Sequence, residues 1–143
     1  MVEPSEDLKL VFEKAIKDAK NLKHEYVTIE HLLFSIMCSE TLYNMLKGFG
    51  ADVDYIKTNL EHHLKNNCED IVIEDAKHKP KKTQSVERVL NRAFTQTLFS
   101  GRSHIDLQDV VLSILSEKKS VANYYLEKGG INKDKLNDYL SNE

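Results

Sequence analysis

Residues 27–37, Val27-Thr28-Ile29-Glu30-His31-Leu32-Leu33-Phe34-Ser35-Ile36-Met37, return 78 positions later as Ile105-Asp106-Leu107-Gln108-Asp109-Val110-Val111-Leu112-Ser113-Ile114-Leu115. In each copy a short side chain able to cap a helix, Thr28 or Asp106, stands just before an apolar run. The register holds upstream, where Val11, Phe12 and Ala15 match Val89, Leu90 and Ala93. Downstream it slips by two, and Leu46, Gly50, Asp52, Ile56 and Leu60 match Leu126, Gly130, Asn132, Leu136 and Leu140. Self-similarity at a fixed offset means one structural unit laid down twice. A unit of roughly 60 residues buries only about 60% of its chain surface. The two copies are therefore expected to share a core, with Leu33, Ile36, Val111 and Ile114 between them.

Helical spacing fills out each copy. Leu8, Val11, Phe12, Ala15, Ile16 and Ala19 recur three and four apart, which predicts a first helix over about 8–23. Thr28 caps a second helix to about Cys38, and a third, about Glu40 to Lys47, stops at Gly48-Phe49-Gly50. Asp52 caps a fourth, with Val53, Ile56, Leu60 and Leu64 inward. From Thr83 or Ser85 a fifth helix carries a stripe of Val86, Val89, Leu90, Ala93, Phe94 and Leu98 and stops at Ser100-Gly101. Asp106 caps a sixth to about Ser116. A seventh, about Ser120 to Glu127, stops at Gly129-Gly130, and Asn132 caps an eighth to about Leu140. The expected fold is all-α: one domain of two pseudo-twofold-related four-helix repeats, about 8–65 and 83–141, without a sheet. The lysine-rich linker between them, about 66–82, has no apolar period and is expected to be the least regular and most mobile interior segment.

Composition narrows the function classes. A hydrophobic content of 41% with 30% charged residues is that of a globular rather than a disordered chain. Apolar stretches such as Leu32-Leu33-Phe34 are far too short to span a bilayer, and Glu3, Glu6 and Asp7 at the start do not resemble a targeting signal. A cytoplasmic chain with no membrane partner is expected. The net charge of −3 gives no electrostatic reason to bind nucleic acid, and the basic run Lys77-His78-Lys79-Pro80-Lys81-Lys82 reads as a solvated linker. Cys38 and Cys68 form no Cys-x-x-Cys pair, which fits a reducing compartment.

Catalytic patterns are largely missing. The sequence has no Gly-x-x-x-x-Gly-Lys-Ser/Thr, no Gly-x-Ser-x-Gly and no His-Glu-x-x-His, so no cofactor is expected in this chain. His62 and His63 are adjacent and point about 100° apart on a helix, poor geometry for one metal. His24 and His31, beside Glu25 and Glu30, are the weak metal candidates, because imidazole and carboxylate both ligate zinc. The plainer expectation is a solvent-exposed histidine beside a capped helix start. Glu25 and Glu30 flank Thr28, either compensating a helix dipole or forming an acidic edge that meets a basic group on a partner. Tyr124, Tyr125 and Tyr139 are either core or an aromatic docking face.

The segment Lys23-His24-Glu25-Tyr26-Val27-Thr28-Ile29-Glu30-His31-Leu32-Leu33 resembles the His-Glu-Phe-x-Thr-x-Glu-His-Leu-Leu signature of the Clp N-terminal repeat domain. Ser85-x-x-Arg88-Val89-Leu90-x-Arg92-Ala93, Ser100-Gly101-Arg102 and Leu112-x-Ile114-x-Ser116-Glu117 agree, so the resemblance runs from about Leu8 to Ser141. His24-Glu25-Tyr26 leans towards the ClpA branch, since ClpC and ClpB relatives usually read Gly-His-x-x-x-x-Thr-Glu-His. The resemblance implies a non-catalytic domain that recruits unfolded or degron-bearing substrates, and a ClpS-like adaptor, to a ClpA-type hexamer working with ClpP. The adaptor-facing positions it implies are Glu25, Thr28, Glu30, Thr83, Arg88 and Arg92. Gln84 and Val86 stand where relatives commonly carry Leu and Phe, and the linker is more basic than usual. The sequence ends at Glu143, where the family enters its first ATPase module, so an excised domain is the expectation. The rival readings are a stand-alone regulator competing for the adaptor and a His/Glu metal-dependent enzyme.

Overall fold

Eight helices, four to a repeat, build the computed structural model, which describes residues 1–75 and 77–142. Repeat 1 comprises α1 (Glu6–Asn21), α2 (Ile29–Met37), α3 (Glu40–Phe49) and α4 (Val53–Asn66); repeat 2 comprises α5 (Gln84–Phe99), α6 (Leu107–Ile114), α7 (Val121–Lys128) and α8 (Lys133–Ser141). Ala76, in the expected linker, and Glu143, the expected point of departure towards an ATPase module, lie outside the described residues. The side chains of Ser5, Thr28, Ser39, Asp52, Thr83, Ser120 and Asn132 each accept a backbone N–H three residues on. Each thus satisfies a donor that the first turn of a helix leaves without a partner. Gly50, at φ 106°, closes α3 in the left-handed region that glycine enters without steric cost.

The repeats share one core. Leu32, Leu33 and Ile36 of α2, Ile56 and Leu60 of α4, Val110, Val111 and Ile114 of α6, and Leu126 and Leu136 are all 0% exposed and belong to one cluster. The symmetry extends to buried polar groups. Ser35 Oγ donates to the Val11 carbonyl at 2.7 Å, and Ser113 Oγ, 78 positions on, donates to the Val89 carbonyl at 2.8 Å.

Three features depart from the sequence expectations. Two short parallel ladders are present, β1 (Glu3–Pro4) with β4 (His104–Ile105) and β2 (Tyr26–Val27) with β3 (Lys81–Lys82). They are twofold mates. Glu3 N–H donates to the Ser103 carbonyl and Ser5 N–H to that of Ile105, just as Lys81 N–H donates to Glu25 and Thr83 N–H to Val27. Each repeat is therefore entered along a strand of the other. Two-residue strands carry no period that a sequence reading can detect.

The linker is irregular, yet hydrogen bonds tie it to repeat 1. Beyond a 3₁₀ turn over Glu69–Ile71, Ile71 accepts from Glu25 N–H at 2.7 Å, and Ile73 N–H donates to Lys23 at 2.8 Å. His78 reaches the His24 carbonyl through Nε2 at 2.8 Å, and Lys20 Nζ donates to the His78 carbonyl at 2.8 Å. Finally, the expected stripes are too wide. Phe94 and Leu98 are 41% and 53% exposed, and Ile16 is also exposed. The buried face of α5 runs through Val86, Val89, Ala93 and Thr97. Phe94 and Leu98 sit about 100° round the helix from Ala93 and Thr97, at the edge of what α6 covers.

Candidate functional site

Three of the implied adaptor-facing residues, Glu25, Thr28 and Thr83, adjoin the β2–β3 ladder. Its two strands run side by side into two different helices: Thr28 leaves β2 as the cap of α2, and Thr83 leaves β3 as the cap of α5. Val86 N–H donates to Thr83 Oγ1 at 3.1 Å, so that hydroxyl is committed to capping. Glu25 is half-buried, with its backbone N–H and carbonyl both in the seam.

Glu30 departs from the acidic-edge reading. Its Oε2 accepts the backbone N–H of Ala122, 92 residues away, at 2.9 Å, so the carboxylate holds the first turn of α7 in the other repeat. Placing a carboxylate there also complements the helix dipole. Arg88 and Arg92, one turn apart on α5, both grip Glu117 in the loop after α6. Arg88 Nε lies 3.0 Å and Arg92 Nη2 2.7 Å from Glu117 Oε2, and Arg92 Nη1 donates to the Ser113 carbonyl at 2.8 Å. The hydrogen bond from Arg88, with that from Arg92, outweighs burial and holds the Glu117 carboxyl down at about 2.

These groups border a cleft of about 420 Å³ lined by Ile29, Ser85, Arg88, Arg92, Ser116, Glu117, Lys118, Lys119 and Ser120. Four cations face one carboxylate there, and that carboxylate is already shared by two arginines. A second cleft, about 430 Å³, has the opposite chemistry: Asp7 and Asp106 rim it, and Leu42, Met45, Leu107 and Leu140 supply an apolar lining. The exposed charge of the cleft beyond the seam is thus positive rather than acidic. Sequence reading missed Lys118 and Lys119, which come from a loop far along the chain and belong to no pattern.

His24 and His31 are not exposed. They are 2% and 0% exposed, and His24 Nδ1 lies 2.8 Å from His31 Nε2. Thr28 N–H can only donate, and it points at His31 Nδ1 at 2.9 Å. His31 Nδ1 is therefore the acceptor, its proton sits on Nε2 and is donated to His24, and the His24 proton sits on Nε2. His31 has no lone pair left for a metal, and the described residues contain no cluster of three His, Cys, Asp or Glu arranged to hold one. Burial, the largest cause, lowers both pKa values, that of His31 to about 3. Cys68 is equally unsuited to chemistry, since burial pushes its thiol up to about 11.

The fold and its clefts define a class: an all-α domain of two four-helix repeats. The family model of the Clp repeat (R) N-terminal domain matches residues 3–129, and the chain belongs to that family. A ClpA homolog protein of Fuscovulum blasticum is 25% identical over 124 residues. That match covers 87% of this chain but only 16% of the length of that relative. The Hsp104 N-terminal domain of Candida albicans has the same fold, with a TM-score of 0.79 at 13% identity over 96% of this chain and 88% of that one. A ClpV N-domain solved with a VipB peptide aligns with a TM-score of 0.64 at 16% identity, over 96% and 84% of the two chains. Among the described residues, no helix is long and apolar enough to cross a membrane.

Proposed function

We propose that the chain is the recruiting module of a ClpA-like unfoldase, docking a ClpS-type adaptor and degron-bearing proteins at the β2–β3 seam for delivery to ClpP in the cytoplasm. The observation that carries this is a ladder flanked by Glu25, Thr28 and Thr83 from which α2 and α5 lead into a basic cleft lined by Ile29, Ser85, Arg88 and Arg92. Glu30 and Glu117 act there as internal struts. The exposed cations that can meet a partner are Lys118 and Lys119 round the cleft and Lys81 on β3, with Arg88 and Lys82 also exposed but paired with Glu117 and Glu87. The adaptor face that fits is acidic. Tethered to a ring of ATPase modules, such a site raises the local concentration of substrate at the pore without chemistry of its own.

The test is calorimetric titration of a ClpS-type adaptor into the chain and into a Lys118→Glu/Lys119→Glu variant. Both lysines are exposed, and Lys118 is tied only to Glu127 at 3.6 Å on the surface, so stability should hold. Binding should weaken by roughly tenfold or more, since reversed charges at an interface replace attraction with repulsion. Unchanged affinity in the folded variant would remove the cleft from the interface.

A further inference from the structure

The buried histidine pair has a twofold mate of different chemistry. Position 24 corresponds to 102 and position 31 to 109, and in repeat 2 these are Arg102 and Asp109. Arg102 grips Asp109 with Nη1 at 3.0 Å and Nη2 at 2.6 Å, while Asp109 Oδ2 accepts the backbone N–H of Asp106 at 2.8 Å. In repeat 1, His31 accepts the backbone N–H of Thr28 and its other nitrogen meets His24. The same latch is built twice. A residue in the third helical position closes the capping box, and a residue seven earlier, where the chain turns out of the preceding helix, holds it in place. One copy is ionic and the other neutral.

We propose that repeat 1 is held by a proton-sensitive latch, the His24–His31 pair, whose protonation undoes the Thr28 capping box and loosens the β2–β3 seam while the Arg102–Asp109 latch stays shut. A proton on His31 Nδ1 sets two donors, Thr28 N–H and the ring N–H, against each other; Thr28 Oγ1, 2.8 Å from Nδ1, can accept the ring N–H only if the ring turns off the backbone N–H, which opens the capping box. A proton on His24 Nδ1 does the same against His31 Nε2. In either case a cation is also left in a buried site. His24 follows directly on Lys23 and precedes β2, so its displacement reaches the contacts that Lys23, Glu25 and Val27 make with Ile73, Ile71, Lys81 and Thr83.

The charged and titratable groups facing the pair come from three elements. Asp70 in the 3₁₀ turn favours the proton on His24, while His63 on α4 disfavours it on both rings. His78 in the linker touches the His24 carbonyl, and its other nitrogen lies 2.7 Å from the Asp75 carbonyl. Fully protonated, that ring would donate to both carbonyls and oppose the loosening. Burial is the largest cause at both His24 and His31, and it acts against the proton. An opened latch exposes histidines with their ordinary pKa of 6.5, whereas in the closed latch burial lowers that of His24 and holds that of His31 at about 3. Opening is therefore favoured progressively as pH falls below about 6.5. A carboxylate–guanidinium pair keeps both charges over the same range.

The device stands whichever partner the seam takes. Its test is pH-resolved hydrogen exchange on the whole chain, corrected for intrinsic exchange rates, with ¹⁵N spectra of the histidine rings. Protection over 24–31 should fall roughly 20-fold between pH 7 and pH 5 through the proton that His31 takes up on opening, with His24 adding in the same direction and no comparable change over 102–109. At pH 7 both rings should show the Nε2–H tautomer. The variant His24→Arg/His31→Asp, which gives repeat 1 the latch of repeat 2, should flatten the response. His78 is retained in that variant, so a profile that stays steep would put the response elsewhere and overturn the proposal. If the variant fails to fold, the wild-type measurement decides alone. Equal protection loss in the two repeats, or an Nδ1–H tautomer on His31, would also overturn it.

Discussion

Glu30 ties the repeats together, and its truncation separates that role from adaptor contact. Its Oε2 accepts from Ala122 N–H at 2.9 Å, and Ala122 is 0% exposed. A hydrogen bond to a charged group contributes about 1.5–3 kcal/mol, and orphaning a buried N–H costs about 1–3 kcal/mol. The two figures describe the same loss from opposite sides and are not summed. The carboxylate adds a further 0.3–1 kcal/mol or so through the α7 dipole. Glu30→Ala should therefore cost about 2 kcal/mol, a fall of roughly 6 °C in Tm for a domain of this size. Glu30→Gln keeps an acceptor and should cost about half as much. Gln108, at the twofold-related position, lines the acidic cleft and is bonded to no helix end among the described residues, and Gln108→Ala should stay within about 0.5 kcal/mol. Urea denaturation of the four proteins, with midpoint and slope fitted separately, is the assay. A Glu30→Ala cost below about 0.5 kcal/mol, or one matched by Gln108→Ala, would refute the strut.

Two further outcomes follow from the same geometry. Lys23 sits at φ 60° where its mate Gly101 sits at φ 75°, and a side chain in that region costs about 1–2 kcal/mol. Lys23→Gly should raise stability by about 0.5 kcal/mol after the entropy that glycine adds to the unfolded chain, and thermal denaturation checks it. Glu117 is held well below its ordinary 4.5, at about 2, so its contribution is full above 4.5 and is lost as pH falls towards 2. In acid titrations followed by circular dichroism, Glu117→Gln should be less stable than wild type at pH 7, with the gap closing across that window. A gap that persists at pH 2 would mean that the carboxylate charge is not what matters.

Much of the fold was legible because each repeat states its own boundaries. Thr28, Asp52, Thr83, Ser120 and Asn132 are cap residues ahead of apolar runs, and Leu33, Ile36, Val111 and Ile114 recur at matched positions. Features that depend on contact between distant segments were hidden. Glu30 reaches Ala122 across 92 residues and Arg88 reaches Glu117 across 29, and neither spacing belongs to a local period. The burial of His24 and His31 did leave a trace. Their repeat-2 counterparts, Arg102 and Asp109, are an obvious ion pair, and a duplicated backbone brings the equivalent positions together. Lys23 opposite Gly101 is a similar trace of a left-handed residue that Lys23 alone does not announce.

The central claim is that this domain recruits partners through the β2–β3 seam, and amide chemical-shift mapping with a ClpS-type adaptor tests it most directly. Saturable shifts should cluster at Glu25–Thr28, Thr83–Arg92 and Ser116–Ser120, with Thr41–Met45 and Leu107 in the opposite cleft unmoved. Absence of saturable binding, or shifts centred on Thr41–Met45 and Leu107, would contradict the account.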